Sequence, residues 1–535
     1  MNREELGRVV QQRSRAILGE RRAAVDLLGA SRVALEGLMS VPNLLRAGSR
    51  GSGRVGVGWR RELAADLLAQ PGCVDFVEVV AESCFGDAMA RGEAVAIAEV
   101  WPVVPHGVKL SLGSAGGIDD HRAHSLGQLA RDVRAPCVTE HVALSRAGGK
   151  EIGHLTAIPF TRAMASVVAR NSIAVRRRLP DVPLLLENIA WTLRWPEDEM
   201  SEGAFYEEVA ARSGCGLLLD IANLYANALN AGVPPLQALA EFPVERVGMI
   251  HVAGGMLDGE FYVDTHAHAV PEAVFALLEM ALQRAGNVPI MLERDAGFPA
   301  FSELHCELGR MRQLACREHG DGHASHARGT GRLVIPASAS TEAEVCARQN
   351  ELASALTVGT EMDGFDLAAL ARSRRVLERK RLADALALLP RLSRFPEATT
   401  ALARARLPGW PRVQPETRVA DALRIAQAAA ADPTLSDAAR IDGLLLRARF
   451  VARHADRPPT PRVGPFVARE RLSRTTVWAI KGPGARARVR IVERLAQESP
   501  TASAHASSRS RNSGSELVQE RPIAGTALPA QGMHP

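Results

Sequence analysis

The side chains best suited to chemistry lie in residues 246–268, RVGMIHVAGGMLDGEFYVDTHAH. An apolar run carries His251 where a buried strand would end, and a glycine-rich turn follows. Asp264, His266 and His268 then occupy every second position. Alternate side chains of an extended segment point the same way, so these three residues can face one point in space. Imidazole and carboxylate groups that converge at a strand end suit a borderline or hard metal ion, and the stretch therefore predicts a metal site.

Eight apolar runs alternate with segments of helical periodicity and would position these side chains. Continuous apolar runs that alternate with amphipathic helices indicate βα units and a parallel sheet. Eight such units over about 265 residues match a (β/α)8 TIM barrel, whose usual length is ~250 residues. A doubly wound open sheet is the alternative. The runs are residues 55–58, 75–81, 102–110, 137–144, 182–188, 215–221, 247–252 and 288–293.

A TIM barrel carries its active site at the carboxyl ends of its strands. Seven consecutive runs end in polar residues, as with His106 in PHG, His141 in TEH and Asp220 in LLLD. Charged residues are rare in buried strands unless they are paired or bind a metal. The candidate metal ligands are His106, His141, Glu187, Asp220, Asn223, His251, Asp264, His266 and Glu293, with Glu140 and Asn188 close by.

These candidates exceed what one ion can use, so we expect two or three ions, with Glu187 or Glu293 as bridging ligands. The set contains no cysteine, which argues against a structural zinc site and leaves iron, manganese or zinc. Open positions on such a cluster can activate water for hydrolysis or bind O2 for oxidation. The ligand types alone leave both chemistries open.

Composition argues against other classes of protein. The chain has 65 basic and 60 acidic residues, and this mild excess does not by itself indicate nucleic-acid binding. The seven cysteines include no CxxC pair, which favours a reducing compartment over a disulfide framework. No apolar stretch reaches the ~18 residues that a membrane span needs, and the N-terminus lacks a signal-peptide pattern. A cytoplasmic protein without a membrane or nucleic-acid partner is expected.

Changes in composition and in hydrophobic pattern divide the chain into five regions. The barrel is predicted over residues 51–320, after an N-terminal extension (1–50) that is helical or disordered. A Gly- and His-containing linker (321–336) leads to a smaller, mostly helical accessory domain (337–496). Near the end of that domain, TTVWAIKGPGARARVRIVERL indicates two strands joined by a Gly-Pro-Gly turn. The Ser-, Ala- and Arg-rich tail (497–535) is expected to be disordered.

Eight motifs in the barrel region together resemble one family. They are PHGVKLSLG, VTEHVAL, HLTAIPFT, LLLENIAW, CGLLLDIANLYANA, IHVAGG, DTHAH and IMLERD. They resemble the DUF692 family, the multinuclear non-haem iron-dependent oxidative enzymes related to methanobactin synthase. The resemblance covers roughly residues 55–319 and implies a xylose-isomerase-like barrel, similar to endonuclease IV.

The resemblance also implies chemistry, cofactors and partners. Two or three irons would use O2 as co-substrate to remodel a residue, often cysteine, of a ribosomally synthesised precursor peptide. The family's metal ligands carry over onto the nine candidates above, and Glu140, Asn188 and His154 match motif positions for which a catalytic role is expected. Family members commonly act with a separate partner protein that binds the leader of the precursor. The fused accessory domain is a candidate for that task in this chain.

The sequence departs from the family pattern in two places. AESCF stands where the family commonly has PENY, so Glu82 is retained with different neighbours. The run DIAN retains Asn223 but has Ala222 before it, where the family has asparagine. These changes concern substrate identity more than metal binding. The alternative functions are a metal-dependent hydrolase or isomerase of the endonuclease IV and xylose isomerase-like group, and a non-catalytic scaffold.

Overall fold

Two units make up the part of the chain that the computed structural model describes, namely residues 53–317, 339–406, 417–452, 459–473, 475–484 and 488–495. Of these residues, the first unit contains 53–317, 339–355 and 360–373. The second unit contains 356–359 and the described residues from 374 onward. The predicted N-terminal extension, linker and C-terminal tail lie outside the described residues, and the predicted barrel region is described from residue 53 to residue 317.

The first unit has twelve strands among its described residues. They are β1 (Val55–Gly58), β2 (Phe76–Val80), β3 (Val103–Gly107), β4 (Val138–His141), β5 (Leu144–Ala147), β6 (Lys150–Thr156), β7 (Leu184–Glu187), β8 (Gly216–Asp220), β9 (Val247–Val252), β10 (Met256–Asp258), β11 (Phe261–Val263) and β12 (Ile290–Leu292).

Eight of these strands close into a parallel barrel in the order β1-β12-β9-β8-β7-β4-β3-β2. Each of the eight apolar runs of the sequence contains one barrel strand. The TIM-barrel prediction is therefore confirmed, and the open doubly wound sheet is excluded because β1 pairs with both β2 and β12. Two antiparallel hairpins that the sequence did not predict, β5–β6 and β10–β11, extend the loops after β4 and β9.

One buried side chain from each of seven strand segments fills the barrel interior. At the eighth strand, Gly56 contributes none, because a Cβ there would lie 2.5 Å from the ring of Phe76. The large ring takes the volume that β1 leaves empty, as close packing requires. The seven side chains are Phe76, Val104, Cys137, Leu185, Leu218, Met249 and Met291.

Helices surround the barrel and continue into the second unit. In chain order they are α1 (Ala64–Ala69), α2 (Ala88–Ile97), α3 (Asp120–Asp132), α4 (Arg162–Arg176), α5 (Glu202–Ser213), α6 (Ile221–Ala231), α7 (Pro235–Glu241), α8 (Glu272–Ala285), α9 (Phe301–Ala315), α10 (Ala339–Val358), α11 (Leu367–Leu386), α12 (Pro396–Arg406), α13 (Thr417–Ala429) and α14 (Ser436–Arg449). None of the described helices is long and apolar enough to span a membrane.

Residues 339–355 of α10 pack on loops that follow the carboxyl ends of barrel strands. The buried Gln349 side chain donates to Gly113 O at 2.7 Å and accepts from Ala115 N at 2.8 Å, in the loop after β3. Lys150, in the hairpin after β4, donates to Ser354 at 2.9 Å. This part of the region predicted as an accessory domain thus belongs to the first unit.

The second unit contains the rest of α11, the helices α12–α14 and five short strands. The strands are β13 (Phe450–Val451), β14 (Thr460–Pro461), β15 (Phe466–Arg471), β16 (Thr475–Lys481) and β17 (Val489–Leu495). The strands β16 and β17 form the antiparallel hairpin that the Gly-Pro-Gly turn indicates, and β15 adds a third strand. One apolar cluster joins the helices, and a second joins α14 to this sheet.

Candidate metal centre

The ends of neighbouring strands bring the predicted ligands to one level of the barrel. In the parallel register His141 lies opposite Glu187, and Asp220 lies opposite His251. Neighbouring strands are ~4.8 Å apart, so residues paired in this way can share an ion. All four side chains are buried, which fits a site inside the mouth of the barrel.

The first group of converging donors consists of His106, His141 and Glu187. Glu187 Oε2 lies 3.4 Å from His141 Nε2 and 3.7 Å from His106 Nδ1. Gly107 O lies 3.1 Å from His141 Nδ1, which suits the tautomer whose Nε2 is free to bind an ion. The group has the donors of a partial iron, manganese or zinc site.

The second group adds Asp220, His251 and Glu293 to the same Glu187. His251 Nδ1 lies 3.2 Å from Glu187 Oε1 and 3.3 Å from Glu293 Oε2. The two oxygens of Glu187 therefore face different groups, Oε2 the first and Oε1 the second. This is the arrangement of a bridging carboxylate.

The third group consists of His266, Glu293 and Asp295. His266 Nδ1 lies 3.4 Å from Glu293 Oε1 and 3.6 Å from Asp295 Oδ2. Glu293 thus faces the second group with Oε2 and the third with Oε1, so it also has the geometry of a bridge. Asp264 contacts His266 Nε2 from the other side of the ring.

The route by which His266 reaches the site differs from the predicted one. The segment around it is not a strand, and His266 adopts a left-handed backbone conformation with φ of 50°. Such a conformation is strained for residues other than glycine and is found most often at functional sites. As a result His268 is exposed and contacts Thr265, so the expectation that it faces the same point as His266 is wrong.

Several potential ligand atoms in the three groups and beside them are buried without a hydrogen-bond partner. Such atoms are rare in folded proteins, and a bound ion is one of the ordinary explanations. The donor set therefore fits metal ions at all three positions. In the groups the atoms are both carboxylate oxygens of Glu187, Asp220 Oδ2, His251 Nδ1 and His266 Nδ1, and beside them are Asn223 Oδ1 and Asp264 Oδ1.

Burial also shifts the acid–base properties of the ligands. It raises the pKa of Glu187 to about 8 and that of Asp220 to about 7, and it lowers the pKa of His141 to about 4. Nearby carboxylates, including Glu293, add to the shifts of both acids. Metal ions bind the deprotonated carboxylate, so ion binding here would displace protons.

Asn188 and Asn223 hold the second group in place. Asn188 Oδ1 accepts from Asp220 N at 2.9 Å, and its Nδ2 donates to Asp220 O at 3.0 Å. Asp220 in turn caps α6 by accepting from Asn223 N at 2.8 Å. The amide of Asn188 thus orients Asp220, while its predicted catalytic role stays a prediction.

Glu140 and His154 lie in or after β4, outside the three groups found among the described residues. Glu140 is buried beside Gly107, where a Cβ would lie 2.1 Å from Glu140 Oε2, so a side chain at position 107 would displace this carboxylate. Burial raises the pKa of Glu140 well above its usual range, and Glu82 adds to the effect. His154 is half-buried on β6. The catalytic roles expected for both stay predictions.

The predicted ligand set does not include Glu78. Glu78 Oε2 lies 3.1 Å from His251 Nε2, so it can hold the imidazole with Nδ1 directed at Glu187 and Glu293. Carboxylates that orient a histidine ligand in this way are a regular feature of metal sites. A charged residue in the middle of the buried run FVEVV was the available signal.

Comparison with known proteins agrees with the barrel and its motifs. Residues 54–316 match the model of the RiPP precursor modification enzyme family MbnB/TglH/ChrH. A UPF0276 protein of Streptomyces avermitilis is 41% identical over 269 residues, which cover 48% of this chain and 54% of that protein. A UPF0276 protein of Caulobacter vibrioides is 39% identical over 236 residues, which cover 44% of this chain and 84% of that protein.

Solved structures are more distant. Endonuclease IV from Thermus thermophilus has 17% sequence identity and a TM-score of 0.33, and the match covers 49% of this chain and 98% of that one. An L-ribulose 3-epimerase has 17% identity and a TM-score of 0.30, with coverage of 56% and 98%. The family assignment therefore depends on the sequence matches. These matches show that this chain belongs to the family of RiPP precursor modification enzymes, as the DUF692 motifs predict.

Proposed function

We propose that this chain is a multinuclear iron-dependent oxidase that uses O2 to modify a residue, most suitably cysteine, of a ribosomally synthesised precursor peptide. The observation that carries the proposal is the pair of carboxylates, Glu187 and Glu293, that each face two groups of donors. Histidine and carboxylate donors suit iron, and a carboxylate that faces two groups could bind one ion with each of its oxygens. When bound, iron would supply the activation of O2 and the one-electron steps of the oxidation.

The protein's own residues would hold this centre and position the peptide. Gly107 O orients His141, Glu78 orients His251 and Asn188 orients Asp220, so three ligands are fixed before an ion arrives. Preorganised ligands of this kind bind ions more tightly and in one geometry. Glu140, His154 and Asn188 are proposed to act on the substrate side, with Glu140 as the group that holds a proton.

Iron and oxidation are tested by anaerobic purification with ferrous ion, followed by metal quantification and O2 consumption. The substrate would be a synthetic cysteine-containing peptide encoded by a short reading frame beside this gene. The proposal expects two or three irons per chain, peptide-dependent O2 uptake and a changed peptide mass. Tight binding of zinc alone, with hydrolysis of a phosphodiester and no O2 uptake, would replace it with the hydrolase alternative.

Recognition of the precursor in cis is the second part of the proposal. The face of the β15–β16–β17 sheet opposite α14 exposes Val467 (61%) and Ile480 (42%), with Arg469 and Arg490 beside them. An apolar strip with flanking arginines suits an extended peptide that carries acidic residues. This face would take the place of the separate leader-binding partner.

The sheet face is tested in the full chain with the double variant R469E/R490E. Reversed charge should weaken binding of the labelled precursor peptide at least ~10-fold, measured by fluorescence anisotropy, with metal content unchanged. The variant R394E, which reverses an exposed arginine elsewhere in the second unit, serves as control. Equal peptide affinity in all three proteins would show that recognition lies elsewhere.

A further inference from the structure

The loop after β1 brings an arginine to the mouth of the barrel. The side chain of Arg60 is 15% exposed and contacts the carboxylate of Asp295, which is 3% exposed. Its Nη1 donates to Trp59 O at 2.9 Å, and Gly58 leaves room for the guanidinium, since a Cβ there would lie 3.2 Å from Nη1. The strand that ends without a polar residue in the sequence therefore also contributes a side chain to this end of the barrel.

Contacts of both its backbone and its side chain fix the position of Asp295. Its backbone N donates to His266 O at 2.8 Å, which ties it to the segment that carries the strained histidine. Its Oδ1 contacts Arg60, while its Oδ2 faces His266 Nδ1 at 3.6 Å. Because Arg60 occupies one oxygen, the other points to the position that His266 Nδ1 and Glu293 Oε1 also face.

His266 supplies an independent indication that this position takes a ligand. Asp264 contacts Nε2, but Nδ1 is buried without a hydrogen-bond partner, and the residue is 3% exposed. When Nε2 carries the proton toward Asp264, Nδ1 has a lone pair, and the two carboxylate oxygens that it faces cannot satisfy that lone pair because they are acceptors as well. Two carboxylate oxygens and one imidazole nitrogen around one point make a partial cation site.

We propose that Asp295 is a metal ligand at this third position and that Arg60 is a positioning residue that holds its carboxylate. This inference depends on the proposed metal centre and names two residues outside the predicted ligand set. A guanidinium that grips one oxygen leaves the other in a fixed direction, as partners behind a ligand commonly do.

The test is the number of ferrous ions bound per chain and the dissociation constant of each, by anaerobic equilibrium dialysis and metal quantification. D295N keeps the shape of the side chain but should lose the third ion or weaken it at least ~10-fold. R60A should weaken the same ion by a factor of ~10–100, and R60K should lie between R60A and the wild type because lysine is a point donor. Circular dichroism spectra and urea unfolding curves identify any variant that has lost its fold.

The matched control is R61A, because Arg61 pairs with Glu93 at 3.0 Å where both side chains are solvent-accessible. Its ion binding should equal that of the wild type. Wild-type binding in D295N would overturn the inference, while loss of ions in H251A measured in parallel would leave the metal centre standing. Tighter binding of the third ion in R60A would overturn it too, because Arg60 would then be a competitor for the ion. A wild-type protein that binds no ion would reject both the inference and the proposed metal centre.

Discussion

Two sets of buried polar side chains, one in each unit, differ in their hydrogen-bond partners. At the barrel mouth, Glu187, His251 and His266 carry buried atoms without a hydrogen-bond partner that converge on shared points. In the second unit, Asp421 accepts two bonds from Arg381, at 2.7 and 2.9 Å, and Lys481 donates to Arg462 O at 2.8 Å and to Gly484 O at 2.7 Å.

The difference separates ligand sites from structural polar networks. A buried polar group that contributes to stability is matched by protein partners, because an unmatched one is disfavoured by ~1–3 kcal/mol. Buried ligand atoms that have no protein partner and converge on one point are therefore expected to bind an ion. Substitutions in the two regions should accordingly have opposite signatures, with ion binding changed in one and stability changed in the other.

The largest effect is expected from His251, which lies at the centre of the donor set. The variant H251A removes the nitrogen that faces both bridging carboxylates, and the affinity for iron should fall more than ~100-fold while the barrel still folds. Metal quantification measures the loss of iron, and circular dichroism measures whether the barrel has folded. H268A, an exposed histidine from the same stretch, is the control and should bind iron normally. Full iron content in H251A would mean that the converging groups are not the metal centre.

An effect on stability alone is expected from D421A in the second unit. The substitution leaves the guanidinium of Arg381 without its bidentate partner, and loss of one member of a buried pair is destabilising by ~3 kcal/mol. Urea unfolding measures the change, and iron content should stay at the wild-type level. E493A, at an exposed position of the same unit, should leave the unfolding curve unchanged. A loss of iron in D421A would break the distinction between the two regions.

The smallest effect is expected from a satisfied polar group inside the first unit. Q349A removes both hydrogen bonds to the loop after β3 and should lower the free energy of unfolding by ~1–2 kcal/mol. Hydrogen exchange of residues 108–119 should become faster, with iron content unchanged. Q237A, which alters an exposed glutamine, is the comparison. Unchanged exchange in Q349A would show that α10 does not hold this loop.

Much of the candidate site could be predicted because it lies on barrel strands. His106, His141, Glu187 and Asp220 lie at the carboxyl ends of β3, β4, β7 and β8, and parallel strands of a closed barrel end at the same rim. Residues on the loops were harder to predict. His266 reaches the site through a left-handed turn, and Arg60 meets Asp295 across 235 positions of sequence. The local sequence of a loop does not specify a contact with a residue so far away in the chain.

The sequence by itself determined the eight βα units and the chemistry of the donors, because hydrophobic periodicity and residue type are local properties. Only the tertiary structure decided which oxygen of Glu187 and of Glu293 faces which group. It also decided that Glu78 contacts His251 and that Arg60 contacts Asp295. The physical reason is that closure of the barrel and the paths of its loops fix distances between residues far apart in the chain. Those distances decide whether a set of donors can hold an ion.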